Sequence, residues 1–307
     1  MNGMVGFMFN MPTFFFISGF LFKEEKHKKW RDFLCSKSRS LLVPYFSLSI
    51  LFLFFTPMMY VPQEYGDMWH FIRSSVIEIV QGYSGPYTVP LWFVYVLFII
   101  NLWYYWAWNL SKERLWLIGA ISFMSFILAW MISYKKVEIP FHMDACLISF
   151  FFFSGGHLFK KMVFPRFPSF DRGWLILICL GMFLIYLTGY FMAGEIDIRT
   201  CSLGYNVFSF LMGTVGGVFF IFVLFYLLNQ IRIILWIKKF LGNVAKHGIV
   251  ILAVHYWVLM TLLWFFDFVR PPYFLAMALL AEIVIVLFFI KIFQMKYLCT
   301  LTGTSRR

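Results

Sequence analysis

A chain of 307 residues in which 62% of side chains are hydrophobic, 23% aromatic and only 13% charged cannot cover a soluble globule with polar groups, so lipid is the solvent for most of it. Its formal net charge of +12 does not point to nucleic acid, because the basic residues collect in short clusters between apolar stretches. Those stretches have the length a helix needs to cross ~30 Å of hydrocarbon, and they lack the alternation of barrel strands.

In chain order the predicted spans are 4–22, 41–59, 91–109, 115–133, 142–159, 174–193, 205–229, 248–268 and 273–293. The expected fold is therefore all-α, a polytopic transmembrane helical bundle of about nine spans. No polar or Pro/Gly/Ser-rich linker interrupts the pattern, which predicts a single membrane domain over 1–307. Only the 60–90 loop is long enough to carry structure of its own.

Loop charge orients the bundle. The segment from Lys23 to Arg39 holds seven Lys/Arg. With Lys112 and Arg114, then Lys160, Lys161, Arg166 and Arg172, then Arg232, Lys238, Lys239 and Lys246, and finally Lys291, Lys296, Arg306 and Arg307, one set of loops carries 21 of the 26 basic residues. The opposite set has five: Arg73, Lys135, Lys136, Arg199 and Arg270. The positive-inside rule makes the first set and the C-terminus cytoplasmic. Nine spans then place the N-terminus outside, although no Lys or Arg precedes the first span. Two accounts fit: a preceding helix lost by truncation or a misassigned start, or a short N-out helix oriented by the basic cluster after it. The cysteines, Cys35, Cys146, Cys179, Cys201 and Cys299, contain no C-x-x-C pair, so neither a disulfide framework nor a zinc site is expected.

The first span reads Phe9-Asn10-Met11-Pro12-Thr13-Phe14-Phe15-Phe16-Ile17-Ser18-Gly19-Phe20-Leu21, followed by a basic amphipathic stretch and by Leu41-Leu42-Val43-Pro44-Tyr45. This resembles the acyltransferase 3 family of membrane O-acyltransferases, whose pattern is F-H-M-P-x-F-F-F-x-S-G-[FY], a basic segment, and an arginine shortly before L-x-P-Y; Arg39 is the matching arginine. The resemblance continues through Pro90-Leu91-Trp92-Phe93, through Phe151-Phe152-Phe153-Ser154-Gly155-Gly156, and through Leu241-Gly242-Asn243 leading to His255. It departs in two places. The family pattern has an earlier helix ending in Gly-His, and its F-H-M-P histidine is here Asn10, which cannot shuttle a proton near neutral pH.

The resemblance implies a membrane-bound O-acyltransferase passing acetyl from acetyl-CoA, or another acyl-CoA, to a sugar hydroxyl of a cell-surface or exported glycan. It implies a bacterial cytoplasmic (inner) membrane, with membrane lipids, acyl-CoA and a glycan or lipid-linked sugar as partners. No bound cofactor, metal or nucleic acid is expected. A hydroxyl is a poor nucleophile, so a base must take its proton. His255, inside an apolar run, is the candidate for that base, with a satisfied packing histidine or a substrate contact as its other readings, and Asn10 occupies the other family histidine position. Lys37 and Arg39 are expected to hold the anionic CoA. Ser18, Tyr45, Trp92 and Asp144 complete the expected substrate contacts.

Each of these residue types also has a plainer reading. Trp92 and Tyr45 suit an aromatic belt, Ser18-Gly19 suits close helix packing, and Asp144 suits interface solvation, as do His142, Glu195 and Asp197. His157, His247, His27 and His70 read as interfacial or solvated. Glu282, inside the last span, keeps a transporter or flippase of a glycan-related substrate as an alternative. Asn10 keeps an inactive homologue as another. No G-x-x-x-x-G-K-[ST], H-E-x-x-H or G-x-S-x-G element occurs.

Overall fold

The computed structural model describes residues 7–24, 29–55, 67–85, 88–137, 139–194, 196–230, 242, 247–265 and 274–293. The described residues are helical almost throughout: α1 (Phe7–Phe20), α2 (Trp30–Lys37), α3 (Val43–Phe55), α4 (Met68–Val80), α5 (Trp92–Leu110), α6 (Leu115–Lys135), α7 (Met143–Met162), α8 (Arg172–Ala193), α9 (Val207–Asn229), α10 (Gly248–Phe265) and α11 (Phe274–Phe293). A two-stranded antiparallel hairpin, β1 (Ile196–Asp197) with β2 (Ser202–Leu203), pairs Ile196 with Leu203. Among the described residues five helical runs are long and apolar enough to cross a membrane: Trp30–Phe54, Val89–Leu110, Leu115–Lys135, Arg172–Ala193 and Val207–Asn229. Every predicted span coincides with a helix. The sequence reading lacked α2, in the basic segment, and α4, in the 60–90 loop.

Two compact units divide the chain. One comprises 1–28 and 99–239, the other 29–98 and 240–307.

In the first unit, lipid offers no hydrophobic drive between helices, so close packing and hydrogen bonds must hold them. Gly19 of α1 and Gly156 of α7 provide the packing. A Cβ on Gly19 would overlap the Phe153 carbonyl, and one on Gly156 would overlap the Phe16 carbonyl. The two family-like elements around Ser18-Gly19 and Gly155-Gly156 are thus the two sides of one helix contact. Likewise Gly189 of α8 admits the backbone of Gly213 in α9. Phenylalanines fill the remaining space, with Phe159 and Phe222 ring centroids 5.0 Å apart and Phe20 and Phe164 also 5.0 Å apart.

In the second unit, α2 and α3 are joined by a π-helical stretch, Ser38–Leu42, in which the Val43 N–H donates to the Ser38 carbonyl. Pro44 explains it. Proline has no amide hydrogen and its ring collides with the carbonyl four residues back, so the helix widens by one residue there instead of breaking. Helix α10 packs on α3 and on the 3-10 turn Val89–Leu91, while Phe52, Trp257 and Phe289 bring α3, α10 and α11 together.

Candidate functional site

The first unit contains a buried polar chain. His157, four residues before Lys161 on α7, has a fully buried ring with a partner on each nitrogen. Nε2 lies 2.8 Å from Glu24 Oε1, and Nδ1 meets the Tyr104 hydroxyl from α5. Lys161 Nζ lies 2.7 Å from Oε1 and 3.0 Å from Oε2 of the same carboxylate. Next to it, Lys160 Nζ donates to the Phe22 carbonyl at 2.8 Å, a cation on a carbonyl freed at the end of α1.

An ionised carboxylate only accepts, so Nε2–H donates to Glu24 and Nδ1 accepts from the Tyr104 O–H. Burial pushes the Glu24 carboxyl upward, but hydrogen bonds from Lys161 and His157 outweigh it and hold the group below its ordinary range. Sequence reasoning placed His157 at an interface; its ring is enclosed by Phe22, Tyr104 and Trp108 and bonded to Glu24, partners that a linear reading does not bring to it. The available signal was local: His157 and Lys161 share a helix face, immediately after the packing glycine Gly156.

Asn10, Ser18 and Asp144 belong to this unit. Asn10 is exposed on α1, and Ser18 is half-buried beside the Gly19 contact. Asp144 is buried in the first turn of α7, where its carboxylate accepts from the Ala145 N–H at 2.8 Å. Near it, His142 Nδ1 donates to the Arg199 carbonyl of the hairpin at 3.2 Å.

Lys37, Arg39, Tyr45, Trp92 and His255 all fall in the second unit. Arg39 lies in the π-helical stretch with its side chain exposed, and among the described residues no carboxylate pairs with it. Lys37 Nζ stands 5.6 Å from the Phe33 ring centroid, a cation–π distance. Trp92 is buried at the start of α5 and so is not part of a lipid-facing belt.

Tyr45 is fully buried, and its hydroxyl donates to the Ile79 carbonyl at 2.8 Å while accepting from the Ser84 N–H at 3.0 Å. It therefore clamps the turn after α4. His255 is half-buried on α10 with Nδ1 2.8 Å from the Ile251 carbonyl. A carbonyl cannot donate, so Nδ1 carries a proton, and in the neutral ring Nε2 is then the acceptor nitrogen.

Of the other residues weighed, His70 is exposed and Glu282 half-buried on α11. His27, Glu195, Leu241, Asn243, Cys299, Arg232, Lys238, Lys239, Lys246, Arg270, Lys296, Arg306 and Arg307 lie outside the described residues.

Apolar helices of spanning length, glycine-mediated helix contacts and basic clusters at helix ends define an all-α integral membrane protein. Within that class, a family model for an acyltransferase domain, acyltransferase 3, matches residues 1–290, and the chain belongs to this family. Comparison with curated proteins and with solved structures gives no significant match.

Proposed function

We propose that this membrane acyltransferase moves an acetyl group from acetyl-CoA to a sugar hydroxyl of a cell-surface or exported glycan, in a bacterial cytoplasmic membrane and with its C-terminus cytoplasmic. The observation that supports this reading is the tautomer of His255. Its Nδ1–H is committed to the Ile251 carbonyl at 2.8 Å, which leaves Nε2 as a general base on a half-buried side chain.

The reaction balances with that one base. Nε2 takes the hydroxyl proton as the sugar oxygen attacks the thioester carbon, the carbon–sulfur bond breaks, and the imidazolium returns the proton to the thiolate, giving the ester and free CoA. The exposed guanidinium of Arg39 and the ammonium of Lys37 suit the CoA phosphates.

The test is radiolabelled acetyl-CoA supplied to the cytoplasmic face of vesicles carrying the protein. Label appearing in glycan, lost in His255→Gln and retained in His70→Gln, is the expected result. Label-independent movement of glycan across the bilayer would favour a transporter. Absence of both activities in protein that remains folded would favour an inactive homologue.

A further inference from the structure

Helix α4 is bounded by Asp67, whose side chain accepts from the His70 N–H at 2.6 Å, and by Gln81. It is too short to cross a membrane. Its end is nonetheless fixed at Tyr45, which lies inside the apolar part of the Trp30–Phe54 run, about one and a half turns beyond the basic segment that ends at Arg39. The turn that follows is non-helical and buried: Gly82, Ser84, Gly85 and Thr88 are all inaccessible, and Gly82, Ser84 and Gly85 have positive φ. Irregular backbone at membrane depth persists only inside protein or beside a polar cavity. The opposite face of α4 exposes Trp69, Arg73, Val76, Ile77 and Val80: its charge lies in the half nearer Asp67, and the turns toward the end held by Tyr45 are apolar, as lipid contact requires.

Glu78 lies at this buried end of α4, half-buried, and among the described residues no cation pairs with its carboxylate. One turn back, Ser75 is fully buried and its hydroxyl finds no partner among the described residues. One turn along α3 from Tyr45, Ser49 is equally buried and equally unpartnered. α3 packs on α4 with Tyr45 against Ile79; Ser75 lies on the same buried face of α4 as Ile79, one turn before it, and Glu78 adjoins Ile79 in the chain. Unpaired polar groups at that depth cost ~1–3 kcal/mol each, and an acid within the membrane is by default a functional group.

We propose that α4 and the turn after it, as far as Gly85, form a re-entrant element whose Glu78 carboxylate, with Ser75 and Ser49, accepts and donates hydrogen bonds to the hydroxyls of a sugar acceptor. The assignment of the ligand rests on the acyl-transfer reading above; the position of Glu78 does not.

Carbodiimide labelling of the purified full chain in liposomes tests both parts, with adducts located by peptide mass spectrometry and Glu78→Gln as the assignment control. The expected result is that dicyclohexylcarbodiimide, which partitions into lipid, modifies Glu78 whereas a water-soluble carbodiimide does not. A panel of methyl hexopyranosides should contain one that slows this labelling severalfold without slowing that of Glu24. Modification of Glu78 by the water-soluble reagent as fast as Asp67 would overturn the re-entrant placement. No adduct with either reagent would show a carboxyl closed to ligands, and no protection by any pyranoside would overturn the sugar site. Labelling needs no acyl-CoA, so protection without ester formation would count against acyl transfer and not against the site, while ester formation without protection would do the reverse.

Discussion

His157 Nε2 stands 2.8 Å from Glu24 Oε1 across a separation of 133 residues, and this contact ties the end of α1 to α7 inside the first unit. Removing the ring leaves the Tyr104 hydroxyl without its acceptor and Glu24 with Lys161 alone. Loss of one partner from a buried pair costs about 1–3 kcal/mol. His157→Ala should therefore lower the melting temperature in detergent by several degrees, and Tyr104→Phe by less. An unchanged melting temperature in His157→Ala would show that the chain of hydrogen bonds contributes nothing to stability.

Acid should release the same contact. The Glu24 carboxyl is held below its ordinary range, so the folded state binds its proton less readily than the unfolded state does. Its contribution is complete above the ordinary glutamate value of about 4.3 and is lost as pH falls through the lower folded value. The melting-temperature difference between wild type and Glu24→Gln should be constant from pH 6 to 7 and shrink below about pH 4.3. A difference that instead grows on acidification would contradict the ionised assignment.

Adjacent glycines in α7 make a sharper comparison. A Cβ on Gly156 would meet the Phe16 carbonyl, whereas one on Gly155 would meet nothing within 4 Å. Gly156→Ala should destabilise by about 1–3 kcal/mol through overpacking, and Gly19→Ala similarly, since its Cβ would meet Phe153 across the same interface. Gly155→Ala should be neutral or slightly stabilising, because alanine favours a helix. Thermal unfolding of the three variants side by side checks this, and equal effects at Gly155 and Gly156 would be inconsistent with the α1–α7 contact.

Much of this architecture was readable from the chain. Apolar runs bounded by charges located each span because lipid solvates every such helix in the same way, regardless of its neighbours. Helix α4 also carried a local signal, with Phe71, Ser75 and Ile79 recurring every fourth residue on its buried face. What the chain did not disclose depends on distant partners. Tyr45 reads as an aromatic contact for substrate, yet both lone-pair and proton functions of its hydroxyl are used by Ile79 and Ser84. His157 reads as interfacial until Glu24 and Tyr104 are brought to it.

The Tyr45 clamp can be released by one atom. Tyr45→Phe keeps the ring against Tyr95, at 5.4 Å between centroids, but leaves the Ser84 N–H and the Ile79 carbonyl without that hydroxyl. Each stranded backbone group costs about 1–3 kcal/mol. The expected outcome is faster amide hydrogen exchange confined to the residues from Val80 to Leu91, with α8 and α9 unaffected. Uniform exchange rates in the two proteins would mean that other contacts hold the turn.

Arg39 supplies the prediction that bears most directly on the donor. Its guanidinium is exposed in the widened turn before Pro44, where a widened helix commonly marks a functional position. If it holds a CoA phosphate, Arg39→Ala loses a charge-assisted hydrogen bond of about 1.5–3 kcal/mol, equivalent to roughly 10–100-fold in affinity. The KM for acetyl-CoA should rise by that factor while kcat changes little, and Arg39→Lys should recover only part, because lysine offers charge without the bidentate fork. Added salt should raise the wild-type KM more steeply than that of Arg39→Ala, since the variant has less charge attraction left to screen. A loss of kcat at constant KM would move Arg39 from donor binding to the reacting centre, and no change in either would remove it from the site.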